Sequence, residues 1–108
     1  MTRRGKCYTS SVVLAKQKRW RSPAYLKWVK TLSCVVSGAP ADDPHHIIGH
    51  GTSGMGLKAP DWAVFPLSRY EHTRLHALGW QEWEARHGSQ WFFASQTLGR
   101  ALNEGILT

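Results

Sequence analysis

One stretch of the chain decides the fold class: residues 45–76 read HHIIGHGTSGMGLKAPDWAVFPLSRYEHTRLH. The short apolar run at 45–49 predicts a β-strand, and the glycine-rich segment 49–56 predicts a loop. A second strand is expected at 62–67, where Pro66 confines it to a sheet edge or to the end of a strand. The two strands are therefore expected to lie on either side of one glycine-rich connection.

Helices are predicted after the second strand and on both flanks. Ser68 and Glu71 form a capping-box pattern, so a helix should begin there and continue to about Leu78. Three further helices are predicted from caps and apolar spacing: one that starts at Ser22-Pro23 and ends near residue 32, one over Trp80–His87, and one from Ser89 to about Asn103. We therefore expect an α+β fold, a strand–loop–strand–helix core flanked by N-terminal and C-terminal helices.

Positive charge is concentrated at the start of the chain. The net charge is +7, and residues 1–41 contain nine Lys and Arg residues with no acidic residue. Such a segment favours a polyanion such as nucleic acid, because each phosphate contact releases counterions. The alternative is a solvated, solubilising tail.

The length of 108 residues suits one domain. We expect a basic flexible arm at 1–21 and a single domain at 22–108. No apolar run approaches the about 18 residues that span a membrane, so no membrane partner is expected and the predicted location is cytoplasmic.

Four of the six histidines form two pairs, His45-His46 and His72-x-x-x-His76. On a helix, residues four apart share a face about 5–6 Å apart, so the second pair can point at one metal ion. Neighbouring residues of a strand point to opposite faces, so His45 or His46 could face that metal while the other stays free. A metal ion beside a free imidazole is typical of a hydrolytic site.

Two other interpretations of these histidines remain. Histidines on a half-buried helix can be structural, with their hydrogen bonds satisfied inside the protein. An HxxxH helix also suggests a zinc peptidase, but such enzymes need a glutamate directly after the first histidine, and Thr73 occupies that position.

The segments Asp43-Pro-His-His46, Asp61 and His72-x-x-x-His76 together resemble the motif of HNH (ββα-metal) endonucleases. More closely, residues 45–76 are similar to the phage-encoded RecA-dependent nuclease (Ref) family, and the similarity covers about residues 34–92. The resemblance implies a ββα-metal core and a metal-dependent DNA endonuclease of phage recombination or repair. It also implies DNA and a RecA filament as partners, and a phage or prophage gene expressed in the cytoplasm of a bacterial host.

The resemblance also implies a role for each matched residue. His46 would be the general base that activates water, and Asp61 would brace its ring. His45, His72 and His76 would bind one divalent ion, Mg²⁺ or Mn²⁺, with Zn²⁺ or Ni²⁺ able to take the site in a crystal. Products would carry 5′-phosphate and 3′-hydroxyl ends. The alternative is a catalytically degenerate HNH scaffold that binds DNA without cutting it.

Candidate DNA contacts surround these residues. They are Lys58 and His50 in the glycine-rich segment, Arg69 and Arg74 beside the histidine pair, and Arg19 and Arg21 in the basic arm. Each could instead belong to a solvated surface, and the glycines could serve only to permit positive φ angles. Most of the six tryptophans are expected in the core, with Trp20 the best candidate for a DNA contact.

Related HNH proteins often carry a structural zinc as well, held by pairs of cysteine and histidine ligands. The matching positions here are Cys34, Ser37, Ser68 and Glu71, of which only Cys34 is a good soft ligand. Structural zinc normally needs four strong ligands. We therefore predict that the structural zinc is absent.

Overall fold

A computed structural model of the protein describes residues 19–51 and 58–107. Within these residues the chain forms four helices and one two-stranded antiparallel sheet, so the predicted α+β class is confirmed. In chain order the elements are α1 (Pro23–Val29), β1 (Asp43–His46), β2 (Val64–Leu67), α2 (Arg69–Leu78), α3 (Trp80–His87) and α4 (Gln90–Asn103).

The sheet is shorter at one end than the sequence predicts and longer at the other. β1 begins at Asp43, which pairs with Leu67, and ends at His46, which pairs with Val64. Beyond β1 the chain turns away through three consecutive residues with positive φ, 49–51. Before β2, Ala63 donates its N–H to the carbonyl of Pro60, a turn that delays the second strand from residue 62 to residue 64.

Helices cover both faces of this sheet, so all four residues of β2 are buried. Side chains alternate across a strand. Phe65 and Leu67 accordingly pack in the larger core with residues of α2, α3 and α4, whereas Val64 packs on the other face with Tyr25 and Val29 of α1. Alternate residues of β1 therefore face different helices: Asp43 and His45 lie toward α2, and His46 lies toward α1.

The helices mostly begin and end where their capping residues predict. The Ser22, Ser68 and Ser89 hydroxyls each accept a backbone N–H from the first turn of the following helix. Gly79 and Gly88, both at positive φ, end α2 and α3. Helix α1 is shorter than predicted, because after Val29 the chain continues in tight turns, with Leu32 donating its N–H to the Val29 carbonyl.

Helix α4, the longest of the described helices, has 14 residues. A bilayer crossing needs about 20. Within residues 19–51 and 58–107, no helix is long and apolar enough to span a membrane.

Candidate metal centre and acid–base pair

Three histidines from β1 and α2 meet at one point. One ring nitrogen from each of His45, His72 and His76 lies within 4.8 Å of those of the other two. His72 and His76 are one turn apart on α2, and their ring centroids are 5.0 Å apart. His45 projects from β1 toward the same turn, with its ring centroid 4.9 Å from that of His72. The structure thus brings His45, from the first histidine pair of the sequence, to both members of the second pair.

Gln90, at the start of α4, fixes the orientation of the His45 ring. Its Oε1 accepts the N–H of Ile48, and its Nε2 donates to the Ile48 carbonyl and to Glu84. These contacts identify which terminal atom of the Gln90 amide is the oxygen. His45 Nε2 lies 3.0 Å from that oxygen, which can only accept, so the proton of this hydrogen bond is on His45 Nε2. The nitrogen of His45 left to bind a cation is Nδ1.

His45 is held as a neutral imidazole. The residue is 1% exposed. Burial is the main cause that lowers the pKa of His45 to about 3; the hydrogen bond with Gln90 opposes it, and the neighbouring histidines reinforce it. A metal ligand must have a free lone pair, so a histidine that does not compete for a proton suits this position.

Asp43 orients the second histidine of the cluster. His72 Nδ1 lies 2.9 Å from Asp43 Oδ2, and Arg69 donates to both oxygens of the same carboxylate. The hydrogen bonds from Arg69 lower the pKa of Asp43, and the hydrogen bond with His72 lowers it further, whereas partial burial of the carboxyl acts in the opposite direction. An ionised carboxylate only accepts, so the His72 proton is on Nδ1 and Nε2 is available. His76 is exposed and leaves one side of the cluster open to solvent.

His46 lies on the opposite face of β1 and forms a separate pair with Asp61. Its Nε2 is 2.8 Å from Asp61 Oδ1. The Asp61 carboxylate also accepts the N–H of Ser22 and a guanidinium N–H of Arg21. Burial opposes its ionisation, but the hydrogen bonds from His46, Ser22 and Arg21 outweigh burial and lower the pKa of Asp61.

The Asp61 carboxylate determines which nitrogen of His46 can act as a base. Because an ionised carboxylate only accepts, the contact places the His46 proton on Nε2. Among the described residues no side chain hydrogen bonds to His46 Nδ1, and 15% of the His46 side chain is exposed. This nitrogen can take a proton from a water molecule.

The residues predicted to contact DNA lie in different surroundings. Lys58 is exposed, and Arg19 and Arg74 are half-buried. His50 is exposed as a residue, but its Nε2 lies 2.7 Å from Glu84 Oε2 and its ring lies 4.4 Å from that of Trp80. His50 thus connects the start of the glycine-rich segment to α3. Residues 49–51 all have positive φ, which supports the alternative that the glycines of this segment serve to permit such angles.

Two of the residues predicted to contact DNA bond to other groups of the protein. Arg21 donates to the carbonyls of Lys58 and Ala59 as well as to Asp61. Arg69 is paired with Asp43, as described above. Arg21 is therefore held against the domain rather than forming part of a free arm, and the remainder of the predicted arm, residues 1–18, lies outside the described residues.

Trp20 and the other tryptophans depart in part from expectation. The Trp20 carbonyl accepts the N–H of Asp61, and 41% of the residue is exposed. Among the six, only Trp83 is fully buried, whereas Trp62 is 39% exposed. The prediction that most tryptophans lie in the core is confirmed in part: three more, Trp28, Trp80 and Trp91, are half-buried rings that pack against the core.

The positions that match structural zinc ligands do lie near one another. Burial of Cys34 opposes ionisation, but hydrogen bonds from Ser37, Ser68 and Val36 lower the pKa of its thiol. The Ser68 hydroxyl is occupied in capping α2, where it accepts the N–H of Glu71. Among residues 19–51 and 58–107, the only close group of three or more candidate metal ligands is the cluster of His45, His72 and His76.

Three residues that hold the histidine cluster in place were not predicted from the sequence. Gln90 bonds to His45, Glu84 bonds to Gln90, and Asp43 bonds to His72. Gln90 is 45 positions from His45, and no local pattern links them. Asp43 had a signal, since it lies two residues before His45, on the same face of a strand and hence on the side of α2.

Comparison with known proteins supplies the family. The chain is 46% identical over 98 residues to the uncharacterized protein YdfU of Escherichia coli (strain K12), covering 91% of this chain and 28% of YdfU. The chain thus spans little more than a quarter of the length of that relative. No solved structure matches it significantly. Residues 9–105 match a family described as "Protein of unknown function (DUF968)", and the chain therefore belongs to the DUF968 family.

Proposed function

We propose that this protein is a metal-dependent DNA endonuclease of the HNH (ββα-metal) type, which hydrolyses phosphodiester bonds. One observation carries the proposal. Three histidines converge within 4.8 Å, while a fourth, His46, is held on the other face of the same strand by a buried carboxylate. The order of β1, β2 and α2 is also the order that the resemblance to HNH enzymes implies.

The donor set fits a divalent cation. His45 Nδ1, His72 Nε2 and one nitrogen of His76 would hold it, and water and phosphate oxygens would complete its coordination. When bound, the cation would act as a Lewis acid that stabilises negative charge on the phosphate. Imidazole nitrogen suits later transition metals better than Mg²⁺. Between the two metals implied by the resemblance, the donors therefore favour Mn²⁺, and Ni²⁺ or Zn²⁺ would bind more tightly.

His46 and Asp61 supply the proton chemistry. In the proposed reaction His46 Nδ1 takes a proton from water as the water oxygen forms its bond to phosphorus and the bond from phosphorus to the 3′ oxygen breaks. Asp61 keeps the Nε2 proton in place and stabilises the imidazolium that forms. The leaving 3′ oxygen takes up a proton from solvent, giving 5′-phosphate and 3′-hydroxyl ends.

The charge of the chain supports a nucleic acid as substrate. The net charge is +7, and nine of the 14 Lys and Arg residues lie in residues 1–41, without an acidic residue. Such a segment would bind the phosphate backbone with a strong dependence on salt. The proposal extends to DNA of phage recombination, with a RecA filament as a further partner, only through the resemblance.

The test is nicking of a supercoiled plasmid by the full chain with Mn²⁺ or Mg²⁺, with and without a RecA filament. A general base typically contributes about 10²- to 10⁴-fold, so His46→Ala should slow nicking by that factor. Thr73→Ala is the matched control, because Thr73 is exposed on α2 between the two metal-binding histidines. If wild type and His46→Ala leave the plasmid equally intact under every condition, the endonuclease proposal fails. Tight, salt-sensitive binding without cleavage would then support the non-cleaving DNA-binding module.

A further inference from the structure

Four aromatic rings form a row along one side of the molecule. The Trp62 and Trp91 ring centroids are 6.1 Å apart with planes 30° apart, and His50 lies 6.5 Å from Trp91 and 4.4 Å from Trp80. We call these four residues the aromatic row. Its members come from the glycine-rich segment, the turn before β2, α3 and α4.

The row is packed against the core at one end and exposed at the other. Trp80 and Trp91 are half-buried and pack against the larger core. Gly49 lies so close to the Trp80 indole that a side chain at position 49 would clash with it. Trp62, at the other end, has 39% of its surface exposed. An exposed indole beside a ring packed in the protein presents a planar apolar face to a planar ligand.

The exposed end of the row is next to the proposed acid–base pair in the chain. Trp62 directly follows Asp61, and Asp61 holds His46. Lys58, in the same segment, is exposed, and its carbonyl accepts from Arg21, which also bonds to Asp61. An aromatic face, an exposed positive charge and the partner of the proposed general base therefore occur within residues 58–62.

We propose that Trp62, supported by Trp91, stacks an unpaired nucleobase of the DNA strand beside the hydrolytic centre. This rests on the proposed function for the identity of the ligand as nucleic acid. Every base has a π face that can stack on an indole, but in a regular duplex both faces are covered by neighbouring base pairs. Lys58 would bind an adjacent phosphate. The site therefore takes DNA with an exposed base, in a single strand, a gap or a distorted duplex.

The test is equilibrium binding of the full chain, in EDTA so that no cleavage occurs, to a fluorescein-labelled single strand and to the same sequence as a blunt duplex. Trp62→Leu keeps apolar bulk but removes the π face, and Trp62→Phe retains a smaller one. One lost base stack corresponds to about tenfold weaker binding. We expect Trp62→Leu to weaken single-strand binding about tenfold, Trp62→Phe to lie between Trp62→Leu and wild type, and duplex binding to change less than about twofold.

Phe92→Leu is the matched control, because Phe92 is 55% exposed on α4, next to Trp91 but outside the row. It should leave both affinities unchanged, and circular dichroism checks that each variant is folded. If Trp62→Leu weakened binding of the single strand and of the duplex equally, or changed neither, the stacking site would be overturned. The aromatic row would then be expected to bind a different ligand, such as a protein surface. The endonuclease proposal is judged separately by plasmid nicking, so base-dependent binding without cleavage would leave the stacking site standing.

Discussion

His45 and His46 are neighbours in β1, yet the protein gives them opposite environments. His45 is 1% exposed, faces α2 and donates a hydrogen bond to a neutral amide, that of Gln90. His46 faces α1, retains some exposure and donates to the Asp61 carboxylate. The two rings differ in the face of the strand from which they project and in the charge of the group that orients them.

This difference matches the roles proposed for the two histidines, a metal ligand at His45 and a base at His46. A neutral amide fixes the imidazole tautomer, and burial lowers the pKa of His45, so the ring stays neutral and keeps Nδ1 bare. An ionised carboxylate fixes the tautomer and also stabilises the imidazolium, which is what a ring that gains a proton during the reaction requires. One dipeptide can therefore supply both functions, because alternate side chains of a strand meet different surroundings.

The largest expected effect separates the two neighbours by metal affinity. His45→Ala should weaken Ni²⁺ binding by more than about 100-fold, since loss even of an outer-shell partner of a metal ligand costs about 10- to 100-fold. His46→Ala should change it by less than about twofold, although it abolishes most nicking. Isothermal titration calorimetry of both variants measures this. Equal loss of affinity in the two variants would show that the two rings are not functionally distinct.

A second prediction concerns the amide that holds His45. Gln90→Leu leaves the N–H of His45 and both backbone groups of Ile48 without their partner. We expect about 10- to 100-fold weaker Ni²⁺ binding and a loss of about 1–3 kcal/mol in the free energy of unfolding, measured in urea.

Gln96→Leu is the control for this change, because Gln96 is exposed on the same helix. It should preserve both quantities. If Gln90→Leu lowers stability but leaves the Ni²⁺ affinity at the value of wild type, Gln90 is a structural residue and does not position His45.

The order of elements and the meeting of the histidines could be predicted because both depend on local patterns. Serine caps and glycine ends set the helices, and the i, i+4 spacing places His72 and His76 on one face. Alternation in β1 likewise predicts that His45 and His46 separate. Because β1 and β2 form a hairpin and α2 follows directly, there are few ways to arrange these three short elements, and His45 is expected to meet His72 and His76.

Asp61 was predicted to orient His46, but Gln90 and Arg21 could not be predicted as parts of the site, because they arrive from distant segments. Gln90 reaches His45 from α4, and Arg21 reaches Asp61 across 40 positions. The pairing of Arg21 with Asp61 and of Arg69 with Asp43 could not be predicted either, since a cation that pairs with a carboxylate has the same sequence signal as one that binds phosphate. The strand ends differed because the turn at Pro60 and the positive φ angles after β1 depend on contacts that only the folded chain supplies.

The smallest expected effect concerns the carboxylate that holds His46. Asp61→Asn retains one oxygen, which can still accept from His46 Nε2 in the place of Asp61 Oδ1, so the ring should keep its orientation. What is lost is the negative charge that stabilises the imidazolium, together with Oδ2 as the acceptor for the N–H of Ser22. We expect nicking to slow by about tenfold, the lower end of the range for partners that orient a ring, and Ni²⁺ affinity to stay within about twofold of wild type.

Glu82→Gln controls for loss of a carboxylate paired with an arginine, since Glu82 bonds to Arg86 on the surface of α3. It should not affect nicking. Asp61→Asn separates charge from orientation: unchanged nicking would mean that Asp61 acts only as a hydrogen-bond acceptor. A loss of Ni²⁺ affinity as large as the loss of nicking would mean that the acid–base pair and the histidine cluster form one unit, because a change confined to one face of β1 would then disturb both.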